Sequence, residues 1–111
     1  VGHSSKLSAQ HCRPCNGGTP LPAAEAQRLL AELDGWALQE QAIAKSYEFV
    51  NHYQLLAFVN AVAWLSHRED HHPEMTLGYN KCRITYSTHA VGGLSENDFI
   101  CAAKVDALFQ L

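Results

Sequence analysis

Two stretches of the chain alternate in polarity with a period of two, and a turn splits each of them: "WALQEQAIAKSYEF" from Trp36 and "EMTLGYNKCRITYS" from Glu74. In the first, Ile43, Lys45, Tyr47 and Phe49 share one face and Ala44, Ser46 and Glu48 the other, with Trp36 and Leu38 leading into a turn near Gln39–Gln41. In the second, Met75, Leu77 and Tyr79 alternate with Glu74, Thr76 and Gly78. Cys82, Ile84 and Tyr86 then alternate with Arg83, Thr85 and Ser87, across a turn around Asn80–Lys81. Side chains on a pleated strand point to opposite faces in succession, so each stretch reads as a hairpin of half-buried strands. Four antiparallel strands with one apolar face need a cover for that face.

Three helical patterns supply the cover. In the first, Ala26, Leu29, Leu30 and Leu33 form a stripe, with Pro22 in the first turn and Gly35 expected as a left-handed cap. Asn51 is a candidate N-cap for the second, with Gln54 as its capping-box partner. Leu55, Phe58, Val59, Val62 and Leu65 follow the 3.6-residue period. Pro73 disfavours helical geometry in the residue before it, so this helix is expected to stop by about His71. Ser95 and Asp98 form a second capping box. The helix they open is apolar around most of its girth, which predicts burial against its own sheet and against a partner subunit. The fold class is therefore α+β: a four-stranded antiparallel sheet with three helices on one face, in the order α-β-β-α-β-β-α.

A chain of 111 residues forms one domain with a small core. Residues 22–111 are expected to make a single catalytic α+β domain. Residues 1–21, polar and interrupted by Pro and Gly, are expected to be a flexible N-terminal arm whose first five residues read as an expression-tag remnant. The net charge of −3 argues against a nucleic-acid surface. No apolar run approaches the roughly 18 residues of a membrane span, and no export pattern opens the chain, so a cytoplasmic location is expected. Cys12 and Cys15 form a single C-x-x-C beside His11. A zinc ribbon needs a second such pair, so these read as arm thiols, with a metal half-site or redox pair as the alternatives. Cys82 and Cys101 read as small buried residues.

The titratable groups concentrate in "LSHREDHHPE", Leu65–Glu74. His67 and His71 lie four apart on one helix face, His72 points elsewhere, and His89 lies just past the second hairpin. One reading is a solvated helix C-terminus, where the helix dipole favours cations. A second is a metal site built on His-x-x-x-His with His72 or His89, although Arg68 stands where the zincin motif has its glutamate. A third is metal-free acid–base catalysis, because imidazole both gives and takes protons near neutral pH. That chemistry suits a dehydration or isomerisation. It does not suit a covalent hydrolase, since no nucleophile motif accompanies the histidines.

The run His67, His71-His72-Pro73, Tyr79, His89 and Asp98, within the segments "HHPE", "YNK", "ITYSTH" and "GLSENDF", resembles the signature of the pterin-4a-carbinolamine dehydratases. The resemblance spans roughly residues 20–110, and the cysteine-bearing arm is similar to an extension in some bacterial members. It implies a homodimer or homotetramer that removes water from 4a-hydroxytetrahydrobiopterin, without cofactor or metal. The product is the quinonoid dihydropterin, and the reaction recycles the cofactor of an aromatic amino acid hydroxylase. By this resemblance His72 is the main acid/base and His71 and His89 are the other pocket histidines. Asp98 holds the family's acidic position, with a purely capping role as its alternative. Pro73, Glu74, Thr88 and His67 are expected to support the pocket. The family also includes binding modules that stabilise a dimeric transcription factor, which is the alternative function.

Overall fold

The structure, a computed structural model, describes residues 7–14 and 17–109. Helix α1 (Ala23–Leu30) leads into strands β1 (Ala37–Gln39) and β2 (Ala42–Glu48). Helix α2 (His52–Glu69) follows, then strands β3 (Glu74–Leu77) and β4 (Lys81–Tyr86), a 3-10 turn (His89–Val91) and helix α3 (Glu96–Phe109). The strands form one antiparallel sheet in the order β1-β2-β4-β3. Both hairpins and the expected α+β order are present. The long central pair β2–β4 sets Ile43 opposite Tyr86, Lys45 opposite Ile84 and Tyr47 opposite Cys82. This register carries the apolar positions of both strands to one face, where they meet Leu55, Phe58, Val62, Phe99 and Val105 of the helices in the core.

Local signals placed most element ends. The Asn51 side chain accepts from the Gln54 amide at 2.9 Å, satisfying one of the free donors of the first helical turn. Helix α1 differs from its expectation. Pro22 stands at its N-cap, and the helix ends at Leu30, well before Gly35. Turn bonds from Glu32 to Leu29 and from Leu33 to Leu30 carry the chain onward. Gly35, at φ +79°, instead makes the bend that brings Trp36 into the core, and a Cβ there would lie 3.1 Å from the Lys45 side chain.

Lys45 lies on the apolar face of the sheet because Asp106 of α3 meets it there. Asp106 accepts from Lys45 Nζ at 2.8 Å, from Trp36 Nε1 at 3.1 Å and from the Tyr47 hydroxyl. A buried carboxylate with three donors is a satisfied one. Burial and Asp106 both push the Tyr47 hydroxyl well above its ordinary range, so it stays a donor.

The expectation that α3 leaves a face for a partner subunit is corrected. Residues 97–103, 105 and 106 are already buried within the one chain, by the sheet, by α2 and by residues before α1. Part of that cover comes from the stretch expected to be a flexible arm. Leu7 is 4% exposed and belongs to the core, and Lys104 Nζ donates to the Ser8 carbonyl at 2.8 Å. Composition alone reads this stretch as loose, because its partners stand more than fifty residues away in sequence. Cys15 lies outside the described residues. Cys12, Cys82 and Cys101 are free thiols.

Candidate active site

Helix α2 ends through a left-handed residue rather than through the proline. Asp70 adopts φ 53°, ψ 42°, its amide reaches the His67 carbonyl, and the His71 amide reaches the Ser66 carbonyl at 3.1 Å. This is the Schellman closure, made here without glycine. It reverses the chain and sends His71 inward, and Pro73 disfavours helical geometry in His72 before it.

His71 is gripped from two sides. Its Nε2 lies 2.7 Å from Asp98 Oδ1, and its ring stacks on Tyr86 with centroids 5.6 Å apart and planes 12° from parallel. Asp98 is completely buried. Its other oxygen, Oδ2, accepts from the Thr88 hydroxyl at 2.8 Å and from the Ser95 amide at 2.9 Å. The capping role and the site role of Asp98 are therefore the same arrangement seen from two ends. One carboxylate oxygen closes the α3 capping box while the other holds an imidazole. Because the carboxylate only accepts, the ring nitrogen facing it carries the proton, and His71 Nδ1 is left for other partners. Thr88 spends its hydroxyl proton on Asp98, so Ser95 Oγ, 2.7 Å away, donates to Thr88 in turn.

His89 opens the 3-10 turn after β4. Paired backbone bonds between Thr88 and Gly93 pinch this loop shut, at 2.7 and 3.3 Å. Gly93 is required there, since a Cβ would sit 2.9 Å from Pro20 Cβ. The loop and the end of α2 together form the walls of a cleft of about 530 Å³, lined by His71, His72, Thr88 and His89. That size falls within the usual range of small-molecule sites. His72 is exposed at the edge of this cleft and also borders a neighbouring hollow of about 350 Å³.

The remaining expected site residues lie elsewhere. His67 is exposed, packs against Trp64 at 5.4 Å between centroids, and lines the neighbouring hollow together with Pro73. Glu74 begins β3, is exposed, and lines neither hollow. Sequence reasoning missed five groups. Tyr86, read only as a strand position, supplies the surface on which His71 stacks. Burial first, and then Cys101, push its phenol upward, so it remains neutral. Cys12, Arg13, Glu69 and Asn97 also line the cleft. Burial tends to raise the Glu69 carboxyl, but the Cys12 amide, His11 and Lys104 outweigh it and hold the group below the usual range. The Cys12 thiol is pushed far up, first by its hydrogen bond with Cys101 and then by burial, which favours its neutral form. Among the described residues, no three His, Cys, Asp or Glu side chains are arranged to hold a metal ion.

A sheet backed by helices, with three imidazoles on one cleft and a buried carboxylate behind one of them, defines an α+β scaffold equipped for proton transfer. Residues 19–108 match the family model described as pterin 4 alpha carbinolamine dehydratase, and the chain belongs to that family. It is 58% identical over 106 residues to a protein of Nitrosospira multiformis provisionally named a pterin-4-alpha-carbinolamine dehydratase, covering 95% of this chain and 94% of that one. A protein of Dechloromonas aromatica with the same provisional name is 53% identical over 109 residues, covering 97% of each. Among solved structures, a transcriptional coactivator/pterin dehydratase from Brucella melitensis superposes with a TM-score of 0.78 at 32% identity, covering 81% of this chain and 98% of that one. A pterin dehydratase-like protein described as a RuBisCO assembly factor in the alpha-carboxysome matches with a TM-score of 0.55 at 30% identity, covering 66% and 84%.

Proposed function

We propose that this chain dehydrates a pterin-4a-carbinolamine by histidine acid–base catalysis. The observation that carries the reading is the shared cleft of His71, His72 and His89. The reaction breaks the C4a–O bond, removes the proton from N5 and forms the C4a–N5 double bond, releasing one water. The departing hydroxyl needs a proton donor and N5 needs an acceptor, so two imidazoles from different walls of a cleft serve both ends at once. His72, on the helix-end wall, is the principal acid/base. His71, oriented by Asp98 and Tyr86, and His89, on the loop wall, hold the pterin and assist the leaving group. Stopped-flow absorbance of a freshly generated 4a-hydroxypterin tests the reading. Acceleration over the buffer rate is expected, and a decay equal to that in buffer would remove it.

The reading places the chain beside an aromatic amino acid hydroxylase, whose spent cofactor is the substrate. The described cysteines are free thiols, in keeping with a reducing cytoplasm, and no helix among the described residues is long and apolar enough to cross a membrane. We infer a homo-oligomer that uses α2 rather than α3. Tyr53, Leu56 and Trp64 are exposed along one stripe of α2, at 80, 38 and 64%. Sedimentation velocity should give a multiple of the chain mass, reduced in Trp64→Glu. A wild-type monomer would end this part of the reading.

A further inference from the structure

We propose that the segment Cys12–Pro14 is a substrate-contacting wall of the catalytic cleft, and that Glu69 and Asn97 are the positioning residues that hold it there. The proposal rests on the reading of this cleft as a pterin site. Cys12, Arg13 and Pro14 line the same hollow as the three histidines. Nothing in their own sequence would order them, because they lie outside any helix or strand and the entropy lost on fixing their backbone must be offset by contacts made elsewhere. The order comes from two anchors. Glu69 Oε1 accepts from the Cys12 amide at 2.8 Å, and its Oε2 lies 3.0 Å from His11 Nδ1 and 3.8 Å from Lys104 Nζ. The Asn97 side chain grips the Arg13 backbone at both ends, accepting from its amide at 3.0 Å and donating to its carbonyl at 2.6 Å. The Cys12 sulfur adds a contact with Cys101 Sγ at 3.3 Å.

The anchors stand directly beside the catalytic machinery in the chain. Glu69 precedes the Asp70 reversal that delivers His71, and Asn97 precedes Asp98, which holds His71. One helix end and one helix start thus each serve both the site and the wall, with Glu69 two residues before His71 and Asn97 one residue before Asp98. A wall that touches the bound pterin away from the reacting atoms stabilises ground state and transition state alike. Its loss therefore raises KM and leaves kcat nearly in place.

The test compares Arg13→Ala, Glu69→Ala, Glu69→Gln and Asn97→Ala with wild type. Two readouts are taken on the full chain: KM and kcat for the 4a-hydroxypterin, and the Kd for stable 7,8-dihydrobiopterin from tryptophan fluorescence. The alanine variants are expected to raise KM and Kd together, on the order of tenfold, with kcat within about twofold of wild type. Glu69→Gln keeps an acceptor for the Cys12 amide and is expected to recover part of the loss. Asn97 is buried and its variant could unfold, but Arg13 is exposed, so Arg13→Ala keeps the test decisive. Unchanged KM and Kd in Arg13→Ala and in both Glu69 variants would overturn the wall. A wild type that binds dihydrobiopterin without dehydrating the carbinolamine would sink the catalytic reading alone, and the wall would then stand or fall on Kd. A wild type that does not bind the pterin at all overturns both.

Discussion

Replacing His72 with alanine is expected to lower the dehydration rate by about 10²–10⁴-fold, the range set by loss of one positioned acid–base group. The melting transition should stay close to wild type. His72 is exposed and lies outside the core, so its removal leaves no cavity and strands no buried partner. The decrease should fall on kcat rather than on KM, because proton transfer is made only in the transition state. Stopped-flow turnover and a thermal melt on the same preparation check both halves. A variant that keeps turnover within threefold of wild type would take the principal role away from this residue.

The second expectation concerns the group behind His71. Asp98→Ala strands three donors in a fully buried position: the Ser95 amide, the Thr88 hydroxyl and the His71 ring. Breaking a buried charged network from one side typically costs about 3–5 kcal/mol, and that loss is expected in urea unfolding. Asp98→Asn is the sharper probe. Its single carbonyl oxygen is drawn toward Thr88 and Ser95, where the cap demands an acceptor, and its amide nitrogen is then left facing His71 Nε2. Two donors cannot share that contact, so the imidazole must move its proton to Nδ1. The folded asparagine variant should therefore show an inverted His71 tautomer in its ¹⁵N imidazole shifts. Its rate should fall by roughly 10²-fold, the scale of a lost positioned base. Retention of both the full rate and the wild-type tautomer would show that Asp98 serves the helix cap and nothing more.

The capping pattern Ser95–Asp98 was legible because a cap is a matter of three residues' spacing. That the same carboxylate also faces His71 was not legible, since the ring arrives from the segment just past a different helix, 27 residues earlier in the chain. Lys45 is a parallel case. Its place on the apolar face followed from the alternation of β2, yet the reason the face tolerates an ammonium is Asp106, on the last helix. The reading of α3 as half-exposed to a partner failed for the same cause. Its apolar girth is covered partly by Leu7 and Cys12, from a segment whose polar composition hides two anchoring contacts.

The strands, the helices, two of their caps and the imidazole-rich stop of α2 follow from periodicity and turn chemistry, which are properties of neighbours along the chain. The orientation of His71, the common cleft of three histidines and the docking of His11–Pro14 arise where distant segments meet. Their energies come from hydrogen bonds closed across 27 to 84 positions, and no local pattern records which donor will find which acceptor once the core has collapsed.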